Sequence, residues 1–239
     1  MLRSIVILGL AAATPAHAQD PAPRIVKCRL VAFEKPAESP PELFAAASSK
    51  GEFTRNTISL SIDAALVDYV VPASGKLAFR AAAAENSPVV ATATIPEKAD
   101  RVYLFLMPAA PGGTQLFRII PVEESDKTTP EGGAFVCNIS SHNSRVTMGE
   151  FKYELLPGKS VSVPQPTRLD EYNMAPLNIQ LDGAEGWTAV KDSMTRFSKR
   201  ERYFMFTYVE PKLGRPMVKI YQQVVPINTT RENPPAAKP

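Results

Sequence analysis

The chain is built from short apolar runs that end at prolines. Pro88-Val89-Val90-Ala91-Thr92-Ala93-Thr94-Ile95 stops at Pro96, Arg101–Met107 at Pro108, Gln115–Ile120 at Pro121, Ser160–Val163 at Pro164, and Val218–Val225 at Pro226. Proline has no N–H for the next ladder bond and breaks helices, so runs of five to eight residues bounded this way read as strands. With 23 prolines in 239 residues, about twice the usual ~5%, long helices are excluded as the main element.

Alternation supports the strands. Phe151, Tyr153 and Leu155 share one face, with Lys152 and Glu154 on the other, and Ile58, Leu60 and Ile62 alternate with Ser59 and Ser61. Val102–Met107 and Tyr203–Val209 are apolar on both faces, which predicts central strands covered on two sides. Met148-Gly149-Glu150-Phe151 is a two-residue hairpin signal, and Leu156-Pro157-Gly158-Lys159 is a type II turn, so Arg145 to Val163 reads as three antiparallel strands. Only Pro41 to Ser48 (PELFAAAS) reads as a helix. Ten or so strands at short spacing predict an all-β fold, an antiparallel β-sandwich of immunoglobulin-like general architecture, as one large or two small units. By composition the best boundary is Glu123 to Gly133 (EESDKTTPEGG), dividing a β-rich region 19–122 from one at 123–226. That stretch also reads as a long hairpin loop within a single domain. Residues 227–239 have almost nothing apolar to bury and read as a disordered tail.

Residues 1–18 (MLRSIVILGLAAATPAHA) read as a secretory signal. Arg3 opens it, an apolar run too short to span a bilayer follows, and Ala16-His17-Ala18 is a small-x-small cleavage site. The expectation is an exported protein, periplasmic or extracellular, with no transmembrane anchor in the mature chain. Cleavage removes one Arg and no acid, so the net charge falls from +3 to about +2. A nucleic-acid binder normally carries a concentrated basic stripe, so none is expected as partner.

Cys28 and Cys137 are the two cysteines. In an oxidising compartment they read either as a disulfide or as two buried thiols. No metal or cofactor is expected, because one mature histidine and two distant cysteines do not make a zinc pattern. Glu123, Glu124 and Asp126 lack calcium-loop spacing and read as a solvated loop. Ser141-His142 is adjacent in a turn with no Gly-x-Ser-x-Gly nearby, so no catalytic residue is assigned. Asn138-Ile139-Ser140 and Asn228-Thr229-Thr230 match a glycosylation pattern that matters only in a eukaryotic secretory pathway, and both are discounted. Trp187, the single tryptophan, follows the turn-like Asp182–Gly186 and reads as a core residue at a strand start or as a ligand contact. Lys199, Arg200 and Arg202 interrupt a hairpin between Phe197 and Tyr203 and read as a solvated turn, or as a contact for an anionic polymer.

Over residues 115–225 the chain resembles a group of exported bacterial proteins of unknown function, predicted to be β-rich. The residues carrying the resemblance are Pro121, Glu123, Glu124, Ser125, Pro130, Gly132, Asn138, Ser140, Gly149, Leu155 to Gly158, Trp187 and Arg202 to Phe204. The resemblance implies a β-rich exported protein and brings no activity. The functional expectation is a cell-envelope module that binds rather than catalyses. Its partner is an envelope protein, or alternatively a carbohydrate or other envelope polymer held at Trp187. An envelope hydrolase ranks below both.

Overall fold

The computed structural model describes residues 23–34, 39–46, 52–109, 112–210 and 213–225. The signal segment and the tail from 226 onward lie outside the described residues. Sixteen strands are present: β1 (Arg24–Ala32), β2 (Glu42–Ala46), β3 (Phe53–Thr57), β4 (Val67–Val71), β5 (Lys76–Arg80), β6 (Val89–Thr94), β7 (Arg101–Pro108), β8 (Phe117–Glu123), β9 (Ala134–Asn138), β10 (Ser144–Met148), β11 (Phe151–Leu155), β12 (Ser160–Val163), β13 (Met174–Leu181), β14 (Thr188–Arg196), β15 (Glu201–Glu210) and β16 (Arg215–Val224). Among the described residues there is no helix, and the fold is all-β.

The strands form four sheets of four, ordered β4-β1-β7-β8 (sheet I), β3-β2-β5-β6 (sheet II), β12-β9-β15-β16 (sheet III) and β11-β10-β13-β14 (sheet IV). Adding eight to each strand number in sheets I and II gives the order of sheets III and IV. The pairings repeat as well, since β1 runs parallel to β7 and β9 parallel to β15 while the other ladders are antiparallel. Two β-sandwich units therefore share one topology, joined by residues 124–133.

Three apolar layers hold the sheets in the order II–I–III–IV. Val26, Cys28, Leu104 and Phe117 of sheet I meet Leu43, Phe79 and Ala91 of sheet II. Tyr103, Phe105 and Met107 on the other face of sheet I meet Phe135, Phe204, Phe206 and Tyr221 of sheet III. Val136, Tyr203 and Met205 on the remaining face of sheet III meet Val146, Leu177 and Ile179 of sheet IV. This stacking explains why β7 and β15 are apolar on both faces: even and odd residues each enter a different core. In the central layer Phe105 lies 4.7 Å from Phe206 between ring centroids and 5.5 Å from Tyr221. The Tyr103 hydroxyl donates to Gln223 Oε1 across the same layer. Lys219 spans the two units, donating to the Phe33 carbonyl with its ammonium 4.7 Å from the Phe33 ring centre.

The structure corrects several local expectations. The helix expected over Pro41 to Ser48 is strand β2 in its described part, because Leu43 and Ala45 alternate into the first core while β2 pairs with β3 and β5. Burial of one face by neighbouring strands overrides the intrinsic preference of Ala and Leu for helix. Ile58–Ile62 is not a strand beyond one bridge between Ser59 and Val31. There the Ser59 and Ser61 hydroxyls accept from the Ser61 and Asp63 amides, replacing ladder bonds with local turns. Strand β8 does not stop at Pro121 but continues to Glu123, which an edge strand tolerates because its outer N–H needs no partner. The hairpin β10–β11 forms around Gly149 (φ 58°), but β12 does not extend it. After the Pro157-Gly158 turn the chain crosses from sheet IV to sheet III and pairs with β9.

Candidate functional site

The crossing at Pro157-Gly158 is fixed by Asn138, a fully buried side chain at the end of β9. Its Nδ2 donates to the Leu155 carbonyl (2.9 Å) and the His142 carbonyl (2.7 Å). Its Oδ1 accepts from the Ser140 amide (3.1 Å), the Ser140 hydroxyl (2.7 Å) and the Thr207 hydroxyl (3.1 Å). One amide thus ties together both sheets of the second unit and the loop at residues 139–143. Burial explains why the glycosylation pattern at Asn138 has no surface meaning.

That loop lies at one end of sheet IV, beside the connection 182–187, and the two are joined through Asp182. Asp182 accepts from the Asn143 amide (2.8 Å) and the Asn143 side chain (2.9 Å) and stands 3.5 Å from His142 Nδ1. Ser140 Oγ is turned to Asn138 and to the His142 carbonyl rather than to the imidazole. Among the described residues, no hydroxyl is hydrogen-bonded to the His142 ring. The Ser-His sequence therefore folds as a turn around Asn138.

Trp187 closes this end of the sheet. It belongs to none of the three cores and is half-buried, with the Arg145 guanidinium 3.8 Å above its ring centre. Arg145 is held in turn by Glu154, its cross-strand neighbour on β11, at 3.1 Å. The expectation of Trp187 as a core residue is corrected: the side chains of β10 and β13 that face the core (Val146, Leu181) leave Arg145 on the outer face, and Trp187 joins it there. A guanidinium stacked on an indole fixes ring orientation and supplies a cation beside an apolar surface. The Trp187 ring thus carries Arg145 on its face, with Glu154 behind the guanidinium, and His142 and Asp182 pair at the same end of the sheet.

The acidic stretch and the basic cluster, read separately in the sequence as solvated, meet each other. Arg202 is buried and lies 3.2 Å from Glu124, 3.3 Å from Asp126 and 3.4 Å from Glu131. Arg101 approaches Glu124 at 3.7 Å from the other side. The solvated-turn reading fits exposed Lys199 and Arg200, while Arg202 is the cation that fills the acidic loop. Sequence reasoning missed this pairing because the partners are more than seventy residues apart. The one available signal was an Arg directly before the doubly apolar run Tyr203–Val209. Among the described residues there is no group of His, Cys, Asp and Glu that could hold a metal ion.

Cys28 and Cys137 are both free and buried, which corrects the disulfide alternative. Cys28 faces sheet II from sheet I, whereas Cys137 faces sheet I from sheet III, so the backbone of sheet I stands between them. Burial pushes the Cys28 thiol up to about 12 and the Cys137 thiol up to about 11, each offset in part by an arginine, Arg24 and Arg118 respectively.

No family model matches the chain, and no curated protein matches it. One solved structure found by comparison is from Bacteroides uniformis and is described as a putative cell adhesion protein. It has 7% identity and a TM-score of 0.17, with 84% of this chain and 96% of that chain covered. A TM-score at that level carries no argument about this chain's fold or function. Among the described residues, no helix is long and apolar enough to cross a membrane.

Proposed function

We propose that this protein is an exported cell-envelope binding module, not an enzyme, and that it contacts a protein partner through the Trp187 end of sheet IV. The supporting observation is the placement of the single tryptophan outside every core, oriented by Arg145 at 3.8 Å, which Glu154 holds in turn. Tryptophan and arginine are the side chains that most often anchor protein interfaces, and a ring whose orientation is already fixed loses little entropy on binding. The signal-like segment 1–18 supports export, and N-terminal sequencing of the protein from an envelope fraction tests that step directly.

The same aromatic platform favours a second reading, in which a sugar ring of an envelope polymer stacks on Trp187. One experiment separates them. Tagged wild-type protein and Trp187→Ala, matched for folding by circular dichroism, are crosslinked in their own envelope fraction and recovered. A stoichiometric protein partner that Trp187→Ala loses supports the interface. Retention on purified envelope polysaccharide that Trp187→Ala loses supports the polymer reading. Recovery unchanged by the substitution refutes both placements of the site.

A further inference from the structure

The opposite end of sheet IV carries a second feature, independent of Trp187. The chain passes between sheets III and IV twice at that end, through residues 164–173 and again through 197–200. Between these crossings lies a cavity of about 410 Å³ lined by Thr167, Leu169, Asn173, Arg196, Ser198 and Lys199, among others. Its size falls within the range of small-molecule sites. Its lining contains two cations and no carboxylate, and neither Arg196 nor Lys199 makes an ion pair among the described residues.

Three of the nearby acids, none of them on the cavity lining, accept hydrogen bonds from neighbouring groups. Glu150 accepts from the Thr167 amide (2.8 Å) and hydroxyl (2.7 Å), which hold its carboxyl down at about 2. Asp170 accepts from the Tyr172 and Met174 amides, and Glu201 accepts from the Tyr203 hydroxyl. These bonds also fix the walls. The Gln165 side chain reaches the Phe197 carbonyl at 3.4 Å, and the Phe197 amide donates to the Asn173 carbonyl at 2.8 Å. Asn173 has φ 61°, the only non-glycine residue in the left-handed region among the described residues. Asparagine adopts that conformation readily, and here it places the Asn173 side chain on the cavity lining.

We propose that this cavity binds a small anionic ligand, an organic carboxylate or a phosphate monoester. Arg196 and Lys199 take its charge, the Asn173 side-chain amide and the Ser198 hydroxyl donate to its oxygens, and Leu169 packs against its carbon skeleton. Charged donors of this kind make the strong hydrogen bonds.

The test is calorimetric titration of the full-length mature protein with citrate, inorganic phosphate and glycerol 3-phosphate in turn, at constant ionic strength set by chloride. At least one probe is expected to saturate. Its affinity is expected to fall by about tenfold or more in Arg196→Gln/Lys199→Gln. Asn173→Gly relieves the backbone while removing the amide, so it is expected to weaken binding without lowering the melting temperature. Saturation by citrate alone identifies a carboxylate site, and saturation by the phosphates alone identifies a phosphate site. No saturation by any probe up to about 10 mM, or equal affinity in the double variant, overturns the proposal.

Discussion

Replacing Asn138 by Ala removes the amide that joins the two sheets of the second unit, and its cost can be worked from the bonds lost. Leu155 lies in the core rim and Thr207 is fully buried, so the Leu155 carbonyl and the Thr207 hydroxyl lose this partner in a place water does not reach. The Ser140 amide loses its acceptor, whereas the Ser140 hydroxyl and the His142 carbonyl keep each other. A buried polar group left unpaired costs about 1–3 kcal/mol. With two to three such groups and some relaxation, the expected loss is about 3–5 kcal/mol. For a chain of this length that corresponds to a fall in melting temperature of roughly 10 °C. Equilibrium urea unfolding followed by far-ultraviolet circular dichroism reads the change as a lower midpoint with an unchanged slope. Asn138→Asp retains the acceptor for Ser140 and Thr207 but points oxygen at two carbonyls, and is expected to be at least as damaging as Ala. A loss below about 1 kcal/mol for both variants would refute the role assigned to this amide.

Both cysteines are expected to resist alkylation in the folded protein at pH 8 and to react only after unfolding, with no change in melting temperature on adding reductant. A Cys28–Cys137 crosslink in non-reducing mass spectrometry would contradict this. Because burial raises both thiols, their contribution to stability is complete below the unfolded value near 9 and is lost as pH rises toward about 11 and 12. The urea midpoint should therefore fall above pH 9, and a flat profile from pH 9 to 11 would count against buried thiols. Arg202→Met leaves Glu124 at 9% side-chain exposure without its nearest cation, and should lower stability most at low salt. A melting temperature within about 1 °C of wild type would remove the acidic loop as a structural tie. Glu150 is depressed rather than raised, so whatever its Thr167 bonds contribute is present above the usual carboxylate value and lost as pH falls toward about 2. Glu150→Gln should flatten that acid limb, and an unchanged limb would show that the latch contributes nothing.

The fold was legible where local rules act alone. Gly149 in its hairpin and Pro164 after β12 stand where turn chemistry puts them, and the doubly apolar runs of β7 and β15 are central strands with a core on each side. It was illegible where the outcome depends on which sheet a strand joins. The Pro157-Gly158 turn has the sequence of a hairpin but acts as a corner, because Asn138, nearly twenty residues earlier, holds the Leu155 carbonyl and directs the next strand to β9. β2 has the composition of a helix, and only the alternate burial of Leu43 and Ala45 between partners distant in sequence makes it a strand. The candidate site shows the same limit. Trp187 stood out by composition, but its partner Arg145 lies on a different strand and was visible only as one charge among many.

The repeated topology locates what distinguishes the second unit from the first. The connection between β5 and β6 corresponds to that between β13 and β14, since each joins the third and fourth strands of its outer sheet. In the first unit it reads Ala81-Ala82-Ala83-Ala84-Glu85-Asn86-Ser87-Pro88, closed on itself by the Ser87 hydroxyl accepting from the Ala82 amide and by Arg80 donating to the Ser87 carbonyl. In the second it is Asp182 to Trp187, with Asp182 tied to the 139–143 loop and Trp187 placed over Arg145. The same backbone scheme thus carries a small self-contained turn in one copy and an aromatic platform in the other. Sheet I, facing sheet III through an aromatic layer, positions the second unit and leaves the outer face of sheet IV free to present Trp187.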